Sequence, residues 1–148
     1  MNRRELIIGA GAMAVAAVSG TAFAADEHQH HHASGGGAYD KLISEAVECM
    51  KRGELCLHHC FTSFAAGDTA LAACASSVND MLAFCAATVK IAANESKYAK
   101  EAVATCMKIC QDCENECRKH EKKHATCKDC ADSCAKCVAE CKNILAAA

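Results

Sequence analysis

The chain has 148 residues and a net charge of −2, so it carries no basic field of the kind that attracts nucleic acid. It contains no proline, which suits long helices joined by short turns. Its fourteen cysteines reach the density of small disulfide scaffolds, and the length allows one domain after an N-terminal segment is removed.

Residues 1–24 read as an export signal. Asn2-Arg3-Arg4 is a short basic start, Leu6 to Val18 a mildly apolar run, and Ala22-Phe23-Ala24 a small-x-small cleavage site. The adjacent arginines followed by Glu5-Leu6-Ile7 resemble a twin-arginine signal, the kind that carries folded proteins. The apolar run is too short and too rich in Gly and Ala for a membrane span, so a periplasmic protein that meets no membrane after cleavage is expected. Residues 25–38 form a His- and Gly-rich tail, in which His28, His30, His31 and His32 can hold a metal transiently.

Residues 39–148 carry helical periodicity throughout. Helix 1 runs from 39 to about 66 and ends at Gly67, with Leu42, Ala46, Cys49, Gly53, Cys56, Cys60 and Ser63 inward. Helix 2 runs from 68 to about 93, capped by Asp68, with Leu71, Cys74, Val78, Met81, Cys85 and Thr88 inward. Asn94 closes it. Ser96 caps helix 3, which extends to about Lys119, and helix 4 spans about His124 to Leu145.

Nine of the fourteen cysteines lie between Cys106 and Cys141. Their steps are 4, 3, 4 across Cys106, Cys110, Cys113 and Cys117, then 3, 4, 3, 4 across Cys127, Cys130, Cys134, Cys137 and Cys141. These steps keep successive side chains on one helix face, so the inward stripe is made of thiols. Reversal near Lys122 sets Cys117/Cys127, Cys113/Cys130, Cys110/Cys134 and Cys106/Cys137 at equal distances from the turn. Reversal at Gly67 does the same for Cys60/Cys74 and Cys49/Cys85. The fold expected is all-α, an antiparallel up-down-up-down four-helix bundle with a cysteine-lined core. Cys60, Cys74, Cys117 and Cys127 would form a layer near the turns, and Cys49, Cys85, Cys106 and Cys137 one further away. Cys56, Cys110, Cys113, Cys130 and Cys134 would lie between these layers, and Cys141 one turn below.

Three chemistries compete for such a core. Disulfide staples are usual in exported cysteine-rich chains, but two rungs would hold a hairpin, and here nearly every inward position of helices 3 and 4 is Cys. Zn²⁺ demands discrete four-ligand tetrahedra, which a continuous stripe specifies poorly, and iron–sulfur clusters favour cysteines in loops. Cu(I) is soft and accepts two or three sulfurs, so CxxxC pairs such as Cys56/Cys60, Cys113/Cys117 and Cys137/Cys141 each suffice for one ion. Multiple Cu(I) ions per chain fit best, with a zinc or copper metallochaperone, a detoxification protein or a stapled helical protein as alternatives. His59, His120, His124 and Met81 are candidate accessory ligands. No nucleophile with its base stands apart from the interchangeable cysteine row, and Cys127/Cys130 lacks the strand-helix setting of redox CxxC sites, so no enzyme is expected.

CLHHC at Cys56 to Cys60, the ladder from Cys106 to Cys117, and CKDCADSCAKCVAEC at Cys127 to Cys141 resemble the bacterial copper storage proteins, in particular their exported branch. The resemblance implies a four-helix bundle that fills its core with Cu(I) through all fourteen cysteines. It also implies copper-dependent enzymes or chaperones as recipients, and homotetrameric assembly.

Overall fold

The computed structural model describes residues 36–147, so the signal and most of the histidine tail lie outside the described residues. Four helices follow in order, α1 (Asp40–Ala65), α2 (Ala72–Ala93), α3 (Ala99–Arg118) and α4 (Ala125–Ala146). Each packs on its sequence neighbours and α4 closes on α1, which makes the antiparallel four-helix bundle.

Local chemistry ends the helices where the sequence indicates. At the end of α1, Gly67 takes φ +84°. Its N–H donates to the Phe64 carbonyl at 2.9 Å and the Asp68 N–H to the Ser63 carbonyl at 2.9 Å, a Schellman closure. The end of α2 repeats the motif with a less suitable residue. Asn94 caps the last carbonyls through Nδ2 to the Lys90 carbonyl at 2.8 Å, and Glu95 then occupies the left-handed position with φ +46°. The Ser96 N–H reaches the Ile91 carbonyl at 3.1 Å.

Two expected starts are displaced. α2 begins at Ala72 rather than 68, because the Asp68 carboxylate accepts the Ala70 N–H at 2.9 Å and holds a turn instead of capping the helix. α3 begins at Ala99, since the Ser96 hydroxyl accepts the Tyr98 N–H at 3.3 Å and so closes a turn two residues long. The first displacement alters register. Residues outside a helix advance about 3.3 Å each against 1.5 Å inside one, so the longer link carries α2 further down α1 before it coils.

The interior is small-residue and sulfurous. Leu42, Ala46, Leu71, Val78, Met81 and Val103 are its main carbon side chains, and all fourteen cysteines have no exposed surface. Ser63, expected inward, is only half-buried. Across the α3/α4 seam Arg118 donates to Asp132 at 2.6 Å and to Glu121 at 3.0 Å, and pairs with Glu114 at 3.3 Å.

A left-handed Glu95 costs about 1–2 kcal/mol that glycine avoids, against about 0.5–1 kcal/mol of extra chain entropy for Gly. Glu95→Gly is expected to raise the stability of the metal-free protein by up to about 1 kcal/mol, read as a higher denaturant midpoint at unchanged slope. A lower midpoint would show that the Glu95 side chain contributes something that its backbone does not.

Candidate metal centre

The inward row of each helix points its sulfurs at the same axis, and their separations define the site. Cys85 stands 3.8 Å from Cys106 and 3.6 Å from Cys110, and Cys110 stands 3.8 Å from Cys137. These four form one group whose sulfurs all lie within 4.8 Å of one another. Cys56/Cys74/Cys127, Cys56/Cys117/Cys130 and Cys113/Cys130/Cys134 form three more on the same limit. Cys56 and Cys130 each belong to two groups, so the sites run into one another. Cys49 joins the middle, with its Sγ 3.5 Å from that of Cys134.

A disulfide bond is about 2.05 Å long, and the closest sulfur contacts here are 3.5 Å, so all fourteen thiols are free. Around a single ion at a metal–sulfur distance of about 2.3 Å, three sulfurs stand about 4 Å apart. The native spacing of 3.5–4.0 Å is already close to that. Little rearrangement separates the empty core from a loaded one.

The second hairpin keeps its expected register, with Cys113 grouped with Cys130 and Cys106 with Cys137. The layers built on α1 do not. Cys56, not Cys60, stands level with Cys74 and Cys127, at 3.9 Å and 3.8 Å. Cys49 meets Cys134 and Met81 instead of completing the Cys85 group, whose fourth member is Cys110. The cause is the longer link before α2, which displaces α1 by about one turn relative to a tight reversal at Gly67. Cys60 and Cys141 belong to no group of three, yet both are fully buried at opposite ends of the sulfur column.

The two ends differ in kind. The end opposite Gly67 and Lys122, where α2 turns into α3, is packed with Leu42, Ala92, Ala99 and Val103 beside the buried Thr88. At the turn end stand imidazoles. His59 Nε2 lies 2.8 Å from His124 Nδ1, and the His120 and His124 ring centroids are 6.5 Å apart. The three rings are half-buried, whereas His58 is exposed. Of the CLHHC histidines, His59 therefore faces the core edge and His58 solvent.

Crowded thiols share protons unequally. Cys56 is lowered to about 4, chiefly by the neighbouring Cys117 thiol, against an opposing effect of Cys127. Cys49 and Cys106 are lowered mainly by Cys110, and Cys113 mainly by Cys117. Those neighbours move the other way: Cys106 raises Cys110 and Cys113 raises Cys117. Cys127 rises to about 11 although its largest contact, Cys56, acts downward, because Cys74 and burial outweigh it. Burial is the main cause at Cys60. Thiols coupled in this way titrate over a wide range of pH rather than at one value.

A bundle filled with free, mutually touching thiols is a metal-binding protein of the soft-metal class. Residues 35–146 match the family model described as copper storage protein, and the chain belongs to that family. Among its relatives, the cysteine-rich protein YhjQ of Bacillus subtilis (strain 168) is 32% identical over 109 residues, covering 72% of this chain and 95% of that protein. Apo copper storage protein 3 from Bacillus subtilis superposes with a TM-score of 0.64 at 29% identity, covering 72% of this chain and 98% of its own. A Cu(I)-bound copper storage protein, BsCsp3, gives 0.65 at 28% identity over 73% and 98%.

The proton sharing sets a pH profile for the metal-free fold. Thiols raised above the reference value of 9.0, such as Cys127, stabilise fully below it, and that contribution is lost as pH climbs through about 11. Cys56, lowered to about 4, stabilises fully above 9.0 and loses that as pH falls through about 4. Stability measured by denaturation under reductant is expected to peak near about pH 9 and to decline on both sides. A profile flat from pH 5 to 11 would contradict the proton-sharing core.

Proposed function

We propose that the chain stores Cu(I) at high capacity on its fourteen cysteine thiolates. The contiguous free-sulfur column carries this reading, and family membership supports it. One Cu(I) held by two private thiolates has a net charge of −1, which costs several kcal/mol in a dry interior. Sharing each thiolate between two coppers brings the metal-to-thiolate ratio towards one and the core towards neutrality. The shared positions of Cys56 and Cys130 are what such bridging needs. Filling therefore continues to roughly ten or more ions per chain before charge balances.

Loading proceeds from the turn end. His59, His120 and His124 offer borderline-soft nitrogen donors on the route to Cys60, while the opposite end is packed with carbon. Storage takes place after export by residues 1–24, in the periplasm, with the histidine tail as a transient ligand and copper-dependent enzymes or chaperones as recipients.

Assembly is a second part of the proposal. The outward face of α2 exposes Ala73, Ser76, Ala83 and Ala87, and Asp80 and Lys90 are the helix's sole charged residues. Neither forms an ion pair among the described residues. They stand five positions before and five after Cys85. Antiparallel pairing of two copies about that level sets Asp80 against the second copy's Lys90 twice, and Ala83 against Ala87. A self-complementary patch of this kind builds a two-fold pair, from which a tetramer follows by a second axis.

Anaerobic titration of the reduced protein with Cu(I) against a competing chelator is expected to saturate at roughly ten or more equivalents. Saturation at one or two equivalents would replace storage by a chaperone reading, and a thiol count near zero on periplasmic protein would replace it by disulfides. His124→Ala is expected to slow loading and leave the capacity unchanged. For assembly, Asp80→Lys is expected to lower the mass measured by light scattering, and adding Lys90→Asp to restore it. An unaltered mass in the single variant removes α2 as the interface.

A further inference from the structure

The inward row of α2 is short of thiols. α3 places a cysteine on its inner face at every turn from Cys106 to Cys117, whereas α2 has only Cys74 and Cys85, with Val78 and Met81 between them. Met81 has no exposed surface, and its Sδ lies 3.5 Å from Cys49 Sγ, which in turn lies 3.5 Å from Cys134 Sγ. We propose that Met81 is a copper ligand, completing with Cys49 and Cys134 a mixed thioether–thiolate site at mid-height of the core. This rests on the copper-storage reading and adds a ligand of a different chemical type to it.

The orientation of Met81 is built in from α1. Gly53 lies inside a 26-residue helix, where glycine costs about 1 kcal/mol relative to alanine. It does not take a positive φ, so the backbone does not call for it. Space does. A Cβ at that position would lie 2.5 Å from the Met81 methyl carbon and 2.9 Å from Leu82 Cδ2. The hole at Gly53 receives the methyl end of Met81, while the sulfur one bond back touches Cys49, one turn away on the same helix. A methionine that merely fills a gap is flexible and needs no such notch.

Charge explains why a thioether serves at this level. Three thiolates around one Cu(I) carry −2, two with a thioether carry −1, and among the described residues no buried side chain is cationic to offset either. In the middle of the column, furthest from solvent, the neutral donor lowers the burden. It also holds copper more weakly than a third thiolate, which lets an ion pass between the Cys85 group and the groups around Cys130.

The test uses the full chain with all methionines replaced by selenomethionine, loaded with Cu(I), and read by selenium-edge X-ray absorption together with a copper count. Copper at bonding distance from selenium is expected in the wild type and is expected to vanish in Met81→Leu. The count in that variant is expected to fall by about one equivalent. Gly53→Ala is expected to lose the same signal with Met81 still present, because its methyl no longer fits. A fully loaded wild type with no selenium–copper neighbour, or one whose signal survives Met81→Leu, leaves Met81 as packing and the storage reading intact. A wild type that takes up no copper overturns both, and the wild-type spectrum decides the ligand question even if a variant fails to fold.

Discussion

Sulfur replaces carbon along most of the inner faces of α3 and α4 and at intervals on α1 and α2, and the contacts of 3.5–4.0 Å between those sulfurs govern the rest of the molecule. A thiol is small, weakly polar and tolerant of burial, so fourteen of them fill an interior without adding strong donors or acceptors of their own. The same interior holds a bare thiolate only where neighbouring thiols favour it, as at Cys56, and has no room for fourteen. Charge confined to a medium of low polarity must be neutralised within a few ångströms, and the ammonium and guanidinium groups here lie on the surface. A soft monovalent cation that distributes itself among the sulfurs is a partner that enters the column and balances it.

The two ends of the column give it a direction. Carbon side chains, Leu42, Ala99 and Val103 among them, pack the end opposite Gly67 and Lys122, where among the described residues only the Thr88 hydroxyl is a buried polar side chain. At the other end α1 continues to Ala65, about two to three turns past the level of Cys74 and Cys127, and His59 in its first turn beyond that level meets His124. The offset that separates Cys60 from its expected layer is thus the offset that juxtaposes the imidazoles. Cys60 becomes the sulfur nearest the histidine end, a step between nitrogen donors and the shared groups at Cys56.

Much of this was legible in the residues. The three- and four-residue steps of the cysteines, the glycine after α1 and the absence of proline specify the bundle, its topology and which side chains face inward, because helical periodicity is a local property. Register between α1 and its neighbours was not legible. It depends on whether Asp68 caps a helix or holds a turn, a choice between hydrogen bonds of similar worth that alters the link by several residues. The role of Gly53 was hidden for a related reason. Its importance lies in what α2 places opposite it, and a single sequence does not align one helix with another to within a turn. The outward face of α2 did carry a signal, since the run from Ala72 to Ala93 has two charges in 22 residues, fewer than a solvated helix face holds.

A store must keep its shape when empty, and the distribution of carbon and sulfur bears on how it does. If metal alone held the helices together, each release would approach unfolding, as in small zinc domains. Here the closures at Gly67 and Asn94, the carbon-packed end and the buried Leu71, Val78 and Val103 fix the helices without any metal. The ion pairs of Arg118 are partly exposed and add little, about 0–1 kcal/mol each. Bound ions then stabilise a frame that already exists, and each contributes in proportion to its own occupancy. Because the empty sulfurs already stand near the spacing that a shared ion requires, filling and emptying move the metal and its protons rather than the backbone.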